Sequence, residues 1–208
     1  MKIFRVNSIF YTLQGEGRNT GRAAVFVRFA GCNLRCPFCD TEFDTFTEMT
    51  SEEIISTLIP YPTRFVVLTG GEPTLQVDEE FVDALHRHGY EVAMESNGTR
   101  PAPKNLDWLT VSPKQNEKLE MRNEECRQPD ELKIVFDEHT DPMAFLSGFM
   151  PQGISHFSFL ISHLCYLQPC DTGDAERNAR IVQLCVEYIK QHPQWRLSLQ
   201  THKLIGIE

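Results

Sequence analysis

Cys32, Cys36 and Cys39 are the side chains of this sequence best suited to chemistry. They lie in Gly31-Cys32-Asn33-Leu34-Arg35-Cys36-Pro37-Phe38-Cys39-Asp40-Thr41, a C-x3-C-x2-C spacing that follows an apolar run. A four-iron, four-sulfur cube is normally held by four cysteines, so three leave one iron open. An open position on a metal is where a substrate binds. A zinc site would pair such a run with a second pair of Cys or His, and no second cysteine pair follows at that spacing. Complete disulfide pairing fails on parity, since there are seven cysteines. Cys126, Cys165, Cys170 and Cys185 read as structural, as free cysteine is often buried.

Other runs have the composition of a site, each with an ordinary alternative. In Thr69-Gly70-Gly71-Glu72-Pro73 the glycines let backbone approach a ligand closely, or simply make a turn. Glu95-Ser96-Asn97-Gly98-Thr99 offers a carboxylate and a hydroxyl suited to ribose hydroxyls, or an Asn-Gly turn. Ser112-Pro113-Lys114 and Gln168-Pro169-Cys170-Asp171 are polar rims or solvated turns. Leu13-Gln14-Gly15-Glu16-Gly17 near one end and Leu199-Gln200-Thr201-His202-Lys203 near the other hold an amide, a carboxylate and an imidazole. Gathered at one mouth with Arg28, they suit a heteroaromatic ring bearing a carboxylate, because arginine grips carboxylates bidentately. Apart, they are a glycine-rich surface loop and a structural histidine.

The elements that must position these groups alternate along the chain. Apolar runs at 23–30, 64–69, 90–95, 108–112, 131–136, 156–161 and 195–200 predict strands. Thr50-Ser51-Glu52-Glu53 is a capping box opening a helix with Ile54, Ile55 and Leu58. Asp78 caps a helix carrying Phe81, Val82 and Leu85 that stops at Gly89, and Pro142 opens another. Ile181, Leu184, Cys185, Tyr188 and Ile189 mark the last helix by their 3.6-residue stripe. Repeated βα units give a parallel α/β sheet with functional loops beyond the C-terminal strand ends. About six units are too few for a closed eight-stranded barrel, so an open partial (β/α)6-type barrel with N-terminal and C-terminal additions, a single domain over 1–208, is expected.

Hydrophobic residues at 41% and charged residues at 24% describe an ordinary globule. The net charge of −9 argues against nucleic-acid phosphates as a partner. No apolar run approaches the ~20 residues of a membrane span. The first residues do not form a secretory signal, so a reducing cytoplasm is expected.

The ordered motifs LQGEG, VRFAGCNLRCPFCDT, TGGEPTLQ, ESNGT, SPK, QPCD and LQTHK span nearly the whole chain. Together they closely resemble the 7-carboxy-7-deazaguanine synthase family of the radical S-adenosylmethionine (SAM) superfamily. The resemblance implies conversion of 6-carboxy-5,6,7,8-tetrahydropterin to 7-carboxy-7-deazaguanine with loss of ammonia, on the route to queuosine. It implies an adenosyl radical that takes hydrogen from pterin C6, a ring contraction, and return of the hydrogen to regenerate SAM. By the same resemblance Cys32, Cys36 and Cys39 hold a [4Fe–4S] cluster and Thr41 a magnesium ion. Phe38, Cys39, Asp40, Gly71, Glu72, Glu95, Ser96, Ser112, Pro113, Lys114, Gln168, Pro169, Cys170 and Asp171 would line SAM. Leu13, Gln14, Gly15, Glu16, Arg28, Thr69, His202 and the last residue, Glu208, would meet the pterin. A homodimer and an external one-electron donor, a flavodoxin or ferredoxin, complete what it implies. A glycyl-radical activating enzyme and a non-enzymatic zinc or scaffold protein are the alternatives. The first would carry extra cluster cysteines, and iron analysis would separate the second.

Overall fold

The computed structural model describes residues 2–39, 41, 42, 44–114, 128–146, 155 and 163–207. Its strands are β1 (Ile3–Leu13), β2 (Ala23–Phe29), β3 (Thr47–Thr50), β4 (Phe65–Gly70), β5 (Glu91–Ser96), β6 (Trp108–Val111), β7 (Glu131–Phe136), β8 (Leu164–Pro169) and β9 (Arg196–Leu197). Its helices are α1 (Ser51–Leu58), α2 (Glu79–Arg87), α3 (Pro142–Leu146), α4 (Ala175–Gln191) and α5 (Thr201–Ile205). One sheet runs in the order β3-β1-β2-β4-β5-β6-β7-β8-β9. Every pairing from β2 to β9 is parallel, while β1 runs antiparallel to both β2 and β3. The sheet ends at β3 and β9 without closing. This is the expected open α/β barrel: six full parallel strands with terminal additions.

Period-two alternation divides the strands between two environments. Val25, Val27 and Phe29 of β2 enter the main core with Val66 and Leu68 of β4 and the buried faces of α1 and α2. Ala24 and Phe26 point the other way, into a smaller cluster with Phe65, Val67 and Ala93. Arg28 follows Phe26 on that inner face, and both line the cavity described below. The helices start where their caps stand. The Thr50 side chain accepts from Glu53 N while the Glu53 carboxylate accepts from Thr50 N, and Asp78 accepts from Phe81 N. Gly89 ends α2 in the left-handed region, at φ +79°.

The termini depart from the expectation. The N-terminal addition is an eleven-residue strand, β1, whose Leu13 pairs with Ala23 of β2. The strand expected at 156–161 lies outside the described residues. The described β8 lies just beyond that range and ends in Gln168 and Pro169, so these two belong to a strand end rather than to a loop. The strand expected at 195–200 is reduced to Arg196–Leu197, because Leu199 and Gln200 turn into α5. On α4 the stripe is narrower than its spacing suggests. Ile181 and Cys185 are buried and Tyr188 and Ile189 pack at the core's edge, but Leu184 is 42% exposed.

Candidate active site

A cavity of about 470 Å³ opens at the C-terminal ends of the parallel strands. Cys32, Cys36, Phe38, Cys39 and Thr41 form one side of it, on the loop after β2. Glycine makes this side possible. Gly71 N donates to Phe29 O and Glu72 N to Gly31 O, each at 2.9 Å, so the loop after β4 lies against the cysteine loop. A Cβ on Gly71 would stand 2.0 Å from Gly31 O. Gly70 adopts φ +121°, a conformation side chains disfavour.

The loop after β5 braces the same structure. Glu72 is fully buried and accepts four hydrogen bonds, from Thr74 N, Thr74 Oγ1, Ser96 Oγ and Asn97 N. Asn97 Nδ2 donates to Asn33 Oδ1 at 3.0 Å, and Asn33 Nδ2 to Thr99 Oγ1 at 2.7 Å. The Glu-Ser-Asn-Gly-Thr run therefore fixes a residue lying between the first two cysteines.

Cys32, Cys36 and Cys39 form no disulfide. Among the described residues no three His, Cys, Asp or Glu side chains converge on a single ion. A four-iron cube takes each thiolate at a separate corner. Three cysteines outside any disulfide, on one glycine-shaped loop that faces a cavity, fit a cube with one open corner.

Beyond the cysteines, Ser112 and Lys114 follow β6. Lys114 Nζ donates to Ser112 Oγ at 2.9 Å and lies 5.7 Å from the Phe38 ring centroid. Burial, with the Lys133 cation nearby, holds Lys114 below the ordinary lysine range. Gln168, Pro169, Cys170 and Asp171 line the wall at β8. Asp171 accepts from Lys203 Nζ, Gly173 N and Asn178 Nδ2, and its pKa is lowered to about 2, chiefly by the Lys203 bond.

The N-terminal and C-terminal segments meet beside this wall, where Gln168 Nε2 donates to Glu16 Oε1 and Lys203 Nζ to Asp171 Oδ2. Thr201 donates through N and Oγ1 to Gly15 O, at 3.0 and 2.9 Å. The approach is so close that a Cβ on Gly15 would stand 2.1 Å from His202 Nδ1. Leu13, Gln14, Glu16, Gln200 and His202 line this wall. Phe10 and Phe26 stack at 5.2 Å, and Arg28 Cζ lies 4.8 Å from the Phe10 centroid. No carboxylate of the described residues pairs with Arg28, which faces the cavity beside Thr69.

Most residues singled out from the sequence thus share one cavity. Glu72 and Pro113 are absent from its lining. Asp40 and Glu208, and Cys126 among the cysteines read as structural, lie outside the described residues. Cys165 and Cys185 are buried in the core, and Cys170 is buried against the cavity. Sequence reasoning missed Lys133, a buried cation on β7 that pairs with Glu16. Its signal was a lysine two residues from Glu131 in an otherwise apolar strand, which puts both on one face.

Comparison with known proteins agrees with this geometry. A family model described as the radical SAM superfamily matches residues 26–113. The 7-carboxy-7-deazaguanine synthase of Bacteroides thetaiotaomicron is 45% identical over 203 residues, 98% of each chain. That of Bradyrhizobium diazoefficiens is 42% identical over 228 residues, 98% of this chain and 99% of the relative. The crystal structure of QueE from Escherichia coli matches with a TM-score of 0.74 at 27% identity, over 95% of this chain and 93% of that one.

Proposed function

The chain belongs to the 7-carboxy-7-deazaguanine synthase family of radical SAM lyases, which use a [4Fe–4S] cluster and SAM in 7-deazapurine biosynthesis, and we propose that its cavity converts 6-carboxy-5,6,7,8-tetrahydropterin to 7-carboxy-7-deazaguanine with loss of ammonia. An enzyme of this class displaces both alternatives, the activating enzyme that acts on a protein and the non-enzymatic scaffold. The observation that carries the substrate reading is one cavity with two unlike sides. Three cysteines and a glycine-built loop form one. Amide, carboxylate, imidazole and guanidinium groups from both ends of the chain form the other. The decisive experiment is anaerobic turnover with the carboxypterin, SAM and dithionite, with the product identified by mass. Recovery of unchanged pterin alongside 5′-deoxyadenosine would reject the substrate.

When bound, the cluster and SAM supply the one-electron chemistry and the hydrogen abstraction. The chain's residues hold, orient and shield. Cys32, Cys36 and Cys39 hold the cluster. Phe38, Asp40, Gly71, Ser112, Pro113, Lys114 and the run Gln168 to Asp171 contact SAM. Glu72 and Ser96 serve that site by bracing its loops, as their mutual hydrogen bond supports. Leu13, Gln14, Gly15, Glu16, Thr69, His202 and Glu208 contact the pterin. The reductant is an external one-electron donor such as flavodoxin or ferredoxin. We further propose a cytoplasmic homodimer. No helix among the described residues is long and apolar enough to cross a membrane.

Arg28 binds the substrate's carboxylate. Its guanidinium faces the cavity without a carboxylate partner among the described residues, and a bound anion supplies one. Arg28→Lys keeps the charge but loses the planar fork. The expected cost is about 1–3 kcal/mol in substrate binding, with SAM binding unchanged. A substrate dissociation constant equal to wild type, measured anaerobically with SAM present, would remove Arg28 from the site.

Thr41 offers a hard oxygen suited to magnesium, whose other ligands come from substrate and solvent. Thr41→Ala should raise the magnesium concentration needed for half-maximal turnover and leave the cluster spectrum intact. An unchanged magnesium titration would rule the role out.

A further inference from the structure

Helices α1 to α4 each bury side chains, and α5 buries none. Its Leu204 and Ile205 are 72% and 62% exposed. A helix of five residues without a face packed on a core lacks what normally stabilises helices in proteins. Polar bonds tie it down instead. Thr201 bonds to Gly15 O, Gln200 Nε2 donates to Glu16 Oε1 at 3.1 Å, and Lys203 Nζ donates to Asp171 Oδ2 at 2.9 Å. The side chains of Lys203 and Asp171 are 35% and 39% exposed, a setting in which an ion pair contributes little by itself. Docking of α5 is therefore near balance, and a ligand that prefers the docked helix can shift it.

Asp171 ends the run, Gln168 to Asp171, assigned above to SAM. The side chains at both ends of that run are already engaged, and each reaches a terminal segment. Gln168 Nε2 donates to Glu16 Oε1 at 3.2 Å, and Gln168 Oε1 accepts from Ser198 Oγ at 3.1 Å. Asp171 Oδ1 accepts from Gly173 N and Asn178 Nδ2, and Oδ2 from Lys203. The run thus keeps its backbone for SAM while its side chains grip Glu16 and α5. Gln168 is buried, so its link is the fixed one, and the exposed Asp171 link is the one that can release. Asp171, His202, Lys203 and Ile207 all line the cavity, so the docked helix forms part of its wall.

We propose that Lys203 is a positioning residue that latches α5 onto the cofactor wall: SAM seated on residues 168–171 steadies Asp171, favours the docked helix and so presents His202 to the pterin, and the two ligands bind cooperatively. This rests on the reading of the cavity as a SAM and pterin site, and it turns the Asp171 carboxylate from a SAM ligand into the partner of the latch. The coupling has a definite two-state element, the helix docked or released, and both ligands favour the docked state. It is reciprocal, so the pterin tightens SAM by the factor by which SAM tightens the pterin.

Two measurements on the cluster-loaded protein test this, both anaerobic and without reductant, so that SAM is not cleaved. The first needs no pterin. Rapid-mixing hydrogen exchange follows the amides of Lys203, Leu204 and Ile207, which bond to Gln200 O and His202 O. Saturating SAM should slow their exchange in wild type about ten-fold, a usual size for coupling between sites. K203M should lose that protection with SAM still saturating, and K203R, which keeps the charge, should retain most of it. In about 1 M sodium chloride, which screens exposed charges beyond ~3 Å, wild type should approach K203M. A helix held by packing would show no such salt dependence. SAM that leaves wild-type exchange unchanged, or K203M protected as well as wild type, overturns the proposal. The second measurement is equilibrium dialysis of 6-carboxy-5,6,7,8-tetrahydropterin with and without SAM. SAM should tighten its binding about ten-fold in wild type and hardly at all in K203M. Equal tightening in the two proteins overturns the proposal. Wild type that binds no pterin even with SAM overturns the substrate reading and the cooperativity built on it, while the exchange measurement still decides the latch.

Discussion

Cys36→Ala is expected to abolish reductive cleavage of SAM and to leave the protein without a stable cluster after anaerobic reconstitution. Cys32→Ala and Cys39→Ala should do the same. The cube has only three protein thiolates here, so losing one leaves two irons without protein ligands. Cys165→Ala and Cys185→Ala are the controls. Both residues are buried in the core, and burial raises both thiols to about 12, so neither is a ready thiolate. For iron and sulfide content alone Cys170 is the sharper control, because it lines the cavity, although burial and Asp137 raise its pKa too. Iron and sulfide per chain, with 5′-deoxyadenosine as the readout of cleavage, decide the assignment. Should Cys170→Ala lose iron while Cys36→Ala keeps it, the ligand set is wrong.

The cysteine side of the site was readable because each of its groups follows a strand. Val25, Val66 and Val92 lie in apolar runs that can only be buried parallel strands, and a parallel sheet brings the loops after them to one rim. The terminal wall was harder. Gln14, Glu16, Gln200 and His202 meet through long-range contacts that no local pattern encodes, such as Gln200 Nε2 to Glu16. Their common place could be inferred only from the chemistry they would share. β1 has apolar residues on both faces, with Phe4 in the main core and Phe10 stacked on Phe26, so it lacks the clean alternation of a surface strand. Glu72 illustrates a different limit. Its type and its neighbours marked it as a ligand, yet its carboxylate is filled by Thr74, Ser96 and Asn97. Composition can show that a carboxylate stands at a strand end, but only the fold shows what already occupies it.

Gly71→Ala should cost about 1–3 kcal/mol of stability, the usual range for inserting a methyl where there is no room, and should sharply lower cluster incorporation. The new Cβ would meet Gly31 O at 2.0 Å and Cys32 N at 3.1 Å. Both are backbone atoms, so no side-chain rotation relieves the clash. Either the loop after β4 or the cysteine loop must move, and the two are joined by Glu72 N to Gly31 O. The displacement therefore reaches Cys32 directly. Gly173→Ala separates this effect from glycine replacement in general. Gly173 has φ +76°, and a methyl added there would find nothing within 4 Å, so alanine costs about 1–2 kcal/mol of backbone strain and touches no cysteine. Denaturant melts should show both variants destabilised, while iron content after reconstitution should fall only in Gly71→Ala. Equal iron in the two variants would mean that the cysteine loop does not depend on its contact with Gly71, and that the glycine pair after β4 serves only the turn.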